Sequence, residues 1–192
     1  MNIKAQNGSM KNCTGCGICQ AVCASKAIVM RANEEGFLYP VVDIALCREC
    51  DKCYTICPIS ENNTSERNKS FGVYACQAKD EQLLIEATAG GLFPVLAHRI
   101  IQMGGRVYGA AYNEQMKVVH QRAVDMADVA KFNGSKYVQS DISPVLQSVR
   151  ADLVSGCKVL FSGTPCQIDA LKSFCSDICS DNLYTVDVVC YG

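Results

Sequence analysis

The rhythm of hydrophobic and polar positions changes about a third of the way along this chain. Residues 27–30 and 37–42 are short β-prone runs, and the charged, glycine-containing turn at 33–36 lies between them, so a hairpin is expected. Residues 60–70 (SENNTSERNKS) carry no apolar side chain. That is linker composition, and it predicts a first domain over 1–62, a linker over 63–70 and a second domain over 71–192. Beyond it the pattern alternates between strand-like and helix-like segments. Strands are expected at 71–76, 107–112 and 118–122, the last two forming a hairpin. A helix over 92–103 has apolar residues at 92, 93, 95, 96, 100, 101 and 103, the mark of a mostly buried element. Gly104-Gly105 ends it. Ser143-Pro144 opens a second helix, which Gly156 stops. A strand at 158–162, a helix at 166–174 and a strand at 184–190 form a βαβ-like unit, which requires at least two parallel strands. The fold class is therefore α+β, with a mixed sheet in the second part. The sequence stops at Cys190-Tyr191-Gly192, directly after a strand, so a truncated C-terminus is expected.

Composition narrows the class. Apolar residues make up 49% of the 192 positions, enough to bury a core. Acids and bases nearly balance at a net charge of −1, which argues against a nucleic-acid partner or an anionic membrane surface. No apolar run is long enough for a membrane span, and the first twelve residues have no secretion-signal core. A cytoplasmic protein is expected. The outlier is cysteine, with 14 residues. In a reducing compartment that count points to metal ligation rather than disulfides.

Eight of the cysteines form an internal repeat. Cys13, Cys16, Cys19 and Cys23 recur 34 positions later as Cys47, Cys50, Cys53 and Cys57, each set reading C-x2-C-x2-C-x3-C. This is the run of bacterial-type ferredoxins with two 4Fe-4S clusters, in which the fourth cysteine of each run ligates the other cluster. Cys13, Cys16, Cys19 and Cys57 are thus assigned to one cluster, and Cys47, Cys50, Cys53 and Cys23 to the second. Zinc would ask for two C-x2-C pairs instead. The first run departs from the usual pattern at Ala24, where a proline is customary. Gly15 and Gly17 keep the first loop small, so that amides can approach the sulfides. Glu49, Asp51 and Lys52 stand in the second loop, and the two clusters are expected to differ in potential.

Three segments of the second part carry further chemistry: residues 87–92 (ATAGGL), 134–141 (GSKYVQSD) and 163–167 (GTPCQ). Small residues before a helix, or a turn at the C-terminal end of a strand, can present amides to a phosphate or a flavin. With GGRVYGAAY and VDVVCYG, these segments and the ferredoxin head make the chain resemble the coenzyme F(420) hydrogenase/dehydrogenase beta-subunit family over nearly its whole length. The resemblance implies an iron–sulfur flavoprotein oxidoreductase, or a subunit of one. It would relay electrons between the clusters and a FAD that exchanges hydride with a deazaflavin or another small acceptor. It further implies flavin contacts at Thr88, Gly90 and Gly91, at Ser135, Lys136 and Tyr137, and at Gly163 and Thr164, with Lys136 as the cation. Catalytic residues are not assigned. The expected partners are a redox protein or subunit and a small-molecule hydride acceptor. In some members, positions like Cys166 and Cys190 help hold a further cluster. Cys76, Cys157, Cys175 and Cys179 read as idle thiols, and His98 and His120 are given no role. The alternative is a ferredoxin-type carrier whose second domain only docks a partner.

Overall fold

The computed structural model of the chain describes residues 12–60, 72–178 and 180–190. The first part is a two-stranded antiparallel hairpin, β1 (Ile28–Ala32) and β2 (Leu38–Val42), flanked by two single-turn helices, α1 (Ile18–Ala21) and α2 (Lys52–Thr55). Register pairs Ile28 with Val42 and Met30 with Pro40. The expected turn at 33–36 closes the hairpin: the Asn33 side chain accepts from the Glu35 and Phe37 amides, and Gly36 adopts φ +89°.

The second part is built on a four-stranded mixed sheet in the order β4–β3–β5–β6, where β3 is Arg106–Tyr112, β4 Val118–Ala123, β5 Val159–Gly163 and β6 Leu183–Asp187. The β3–β4 pair is antiparallel, and β5 pairs in parallel with both β3 and β6. Helices cover both faces. Side chains alternate across the strands as the two-residue period requires. Tyr108, Val159 and Phe161 point to the face covered by α6 (Leu146–Val154) and α7 (Pro165–Phe174). Val107 and Leu160 point to the face covered by α4 (Leu92–Gln102) and α5 (Met126–Ala130). Ile18, from the first part, is buried in the α6/α7 core beside Ile142, Leu146 and Ile168. The two parts therefore share a core.

Several expectations are corrected. Residues 72–76 form no strand. Val73 and Tyr74 are 95% and 81% exposed, and no sheet edge receives the segment despite its β-prone sequence. The helix at 92–103 does form, but only Pro94, Ala97 and Ile100 are buried, because one stripe faces the sheet while Leu92, Val95 and Leu96 lie open. Ser143 and Pro144 form a turn ahead of α6, which begins at Leu146. The last strand ends at Asp187, three residues early. Helix α3 (Glu81–Glu86), capped by the Asp80 carboxylate, and α5, capped by Asp125, were not anticipated. The linker at 63–70 and Cys179 lie outside the described residues.

Candidate metal centres and the adjoining loops

The eight repeat cysteines gather around two cavities. Cys13, Cys16, Cys19 and Cys57 line one, walled by Ile18, Met30, Pro40 and Ile59. Cys23, Cys47, Cys50 and Cys53 line the other, walled by Ala27, Ile28 and Val42. The fourth cysteine of each run has crossed to the opposite set. Both cavities lie along one face of the hairpin, two residues apart: Ile28 and Val42 line one, Met30 and Pro40 the other. We call the first cavity inner, because its loop contains Ile18 of the shared core, and the second outer, because Cys50 and its neighbours are exposed.

The two loops have the same backbone and opposite surroundings. Gly15 and Gly17 of the inner loop have φ of +64° and +75°, and the repeat-related Glu49 and Asp51 both have φ of +54°. A Cβ at Gly15 would lie 2.4 Å from Gln139 Nε2, and one at Gly17 would lie 2.4 Å from Ser143 Oγ. Glycine at these inner positions thus answers to the second part packed against them, as well as to the left-handed turn. Glu49 and Asp51 are exposed and keep their side chains.

The thiols differ as well. Burial pushes Cys13 up from its ordinary value, Cys16 up to about 11, and Cys19 higher still. At Cys23 burial acts in the same direction, but hydrogen bonds from the Ser25 hydroxyl and the amides of Ala27, Ser25 and Ile28 outweigh it and lower the value. Four thiol sulfurs around each apolar-walled space are the donor set that an iron–sulfur cube takes. Loading the inner set must therefore displace the tightly held protons of Cys13, Cys16 and Cys19.

The other predicted residues lie in the second part. Thr88 is exposed, and Gly90 and Gly91 take φ of +72° and +69° immediately before α4. A Cβ on Gly90 would meet the Cys76 carbonyl at 2.9 Å. Gly163 is buried at the end of β5, and Thr164 caps α7, its amide donating to Gln167 Oε1 at 3.0 Å, with Pro165 at the first helical position. Ser135 is exposed and Tyr137 is 94% exposed. The Lys136 ammonium donates to the carbonyls of Asn133 (2.8 Å), Phe132 (3.0 Å) and Lys131 (3.2 Å), and closes the C-terminal end of α5. Cys166 is half-buried, 3.1 Å from Thr164 Oγ1, and Cys190 is exposed.

Sequence reading missed a hydrogen-bonded string that joins these segments. Residue 141 bridges to Val119 along the outer edge of β4. Beside it, Gln139 Nε2 donates to the carbonyls of Thr14 and Gly15, both at 3.2 Å, and its Oε1 accepts from the Leu38 amide at 2.9 Å. The Ser140 carbonyl accepts from Gln167 Nε2 at 2.8 Å. Buried His120 lies 2.7 Å from Ser140 Oγ through Nδ1 and 2.8 Å from the Ser162 carbonyl through Nε2. A carbonyl only accepts, so Nε2 carries the proton and Nδ1 accepts from the serine. The ring stacks on Phe161 at 4.9 Å, and burial pulls its pKa down to about 4. The signal available in the sequence was the polar trio Gln139-Ser140-Asp141 at the end of the GSKYVQSD motif.

These features define a two-cluster iron–sulfur protein. The family model of the 4Fe-4S dicluster domain matches residues 12–60, the span that contains all eight cysteines. Over 94% of its length the chain is 24% identical to an uncharacterized protein of Methanocaldococcus jannaschii, and over 93% it is 22% identical to a subunit of the F(420)H(2) dehydrogenase of Methanosarcina mazei. It spans a little over half the length of these curated relatives, 57% and 53%. Among solved structures, a chain of the F420-reducing [NiFe] hydrogenase complex from Methanosarcina barkeri is similar at 23% identity and a TM-score of 0.48, covering 59% of this chain and 42% of that one. Residues 12–60 thus form a 4Fe-4S dicluster module, and the chain as a whole is similar to these relatives over most of its own length. No helix among the described residues is long and apolar enough to cross a membrane.

Proposed function

We propose that the chain relays electrons through two 4Fe-4S clusters toward a FAD associated with the α/β part, as an oxidoreductase or a subunit of one. The observation that supports this best is the crossed gathering of thiols: Cys57 stands with Cys13, Cys16 and Cys19, and Cys23 with Cys47, Cys50 and Cys53. Among the described residues, no three His, Cys, Asp or Glu side chains come close enough to hold a single metal ion. Spacing of that kind suits a cube better than zinc. When bound, clusters supply one-electron transfer and a flavin supplies exchange between one-electron and hydride chemistry.

The protein's own contribution is position and exposure. Cys50 and the charged outer loop are open to a redox partner, and the inner loop leans on the α/β core. The flavin reading rests on the glycine-led start of α4 and on the capped turn at Thr164, both suited to anionic groups. Lys136 would join such a site only by leaving its three carbonyls. That engagement favours the second reading, in which the α/β part, from about residue 71 onward, serves to dock a partner. A small hydride acceptor such as a deazaflavin belongs to the first reading alone.

Anaerobic reconstitution, with iron, sulfide and extracted flavin measured together, tests the proposal. About eight irons per chain with bound FAD is expected. Eight irons with no flavin retained, even after FAD is added, would leave the docking reading. Zinc in the thiol sites would end both.

A further inference from the structure

The sequence motif GSKYVQSD reaches into the ferredoxin part through one side chain, Gln139. Its amide uses both ends there: Nε2 on the Thr14 and Gly15 carbonyls, Oε1 on the Leu38 amide. The peptide joining Thr14 to Gly15 is planar and trans, so a donor holding the Thr14 carbonyl fixes the Gly15 N–H on the opposite side. That N–H points at Cys13 Sγ, at 3.4 Å. Gln139 can approach this closely because residue 15 has no side chain: a Cβ there would lie 2.4 Å from Gln139 Nε2.

We infer that Gln139 is a positioning residue that aims the Gly15 amide at the Cys13 sulfur and so raises the reduction potential of the inner cluster. This rests on the two-cluster reading. A hydrogen bond to a ligating sulfur stabilises the more negative, reduced cluster and raises its potential. Gln139 also sits one residue from Ser140, whose contacts with Gln167 and His120 hold the GTPCQ turn. One short segment thus fixes both the inner loop and the turn.

The test is a redox titration followed by electron paramagnetic resonance on the full chain, reconstituted without air. Cys57→Ser, which removes a ligand of the inner set, assigns the inner signal. In Gln139→Leu the inner potential is expected to fall, by up to about a tenfold change in the reduction equilibrium, or about 59 mV for one electron. The outer potential stays where it was, and a chelator strips iron faster from the inner site only. Gln139→Glu keeps the shape and the acceptor for Leu38 but donates nothing to the carbonyls, and should shift the inner potential the same way. If wild type holds two clusters and both variants leave the potentials unchanged, or move both together, this inference alone is overturned. A wild-type chain without an inner cluster overturns the two-cluster reading as well.

Discussion

The inner and outer cysteine loops are two copies of one sequence unit, placed in different surroundings. Position by position, Gly15, Gly17 and Ile18 correspond to Glu49, Asp51 and Lys52. The left-handed turns are the same in both copies, and the thiols converge in the same way. The difference is what each loop touches. The inner copy lost side chains where Leu38 and Ser143 press on it, and gained an isoleucine where the α/β core begins. The outer copy carries charge at all three places. A repeat can therefore keep its chemistry while its non-ligand positions record which face is buried.

The largest expected effect divides the two sites outright. Cys57→Ser should abolish the inner cluster and leave about four of about eight irons on the outer one, as iron analysis and spectroscopy would show. Loss confined to the outer site would break the crossed assignment. Next comes the isoleucine. Ile18→Ala should cost about 2–5 kcal/mol in denaturant unfolding, while Lys52→Ala at the matching place should stay within about 0.5 kcal/mol. Equal effects would mean that the inner loop does not share the core.

Acid should lower the stability of the fold through His120. The folded protein favours neutral His120, with its pKa near 4, whereas an unfolded histidine takes its proton near 6.5. The unfolded state then binds more protons between those values. Stability is thus full above pH 6.5 and falls as pH drops toward 4, by roughly 3 kcal/mol. A His120→Gln variant whose unfolding shows the same pH slope would refute this. The smallest effect is at the turn. Asp51→Gly should raise stability by about 1 kcal/mol by relieving the left-handed backbone, and Gly17→Ala should be destabilising because it meets Ser143. Thermal melts of the pair would sharpen the contrast.

The cysteine spacing, the hairpin and the βαβ unit were legible because each rests on local periodicity or on ligand geometry within one run. The four strands of the mixed sheet were placed to within a few residues on the same grounds. What escaped needed knowledge of distant neighbours. Residues 72–76 have strand propensity but no edge to pair with, and half of α4's apolar residues face outward. Lys136 looked like a cation for a ligand, and its three carbonyl acceptors appear only once α5 is known to end beside it. His120 has nothing in its sequence context to mark it, because its partners are 20 and 42 positions away.

The hairpin alongside the two cavities works as a ruler. The Ile28–Val42 and Met30–Pro40 rungs are two residues apart, so the two sites are offset by roughly 7 Å along the strands, and that step contributes to the tunnelling distance between them. Inserting one residue in either strand would turn one rung's side chain to the opposite face. A change of length in the turn at 33–36 would leave both rungs, and so that offset, as they are.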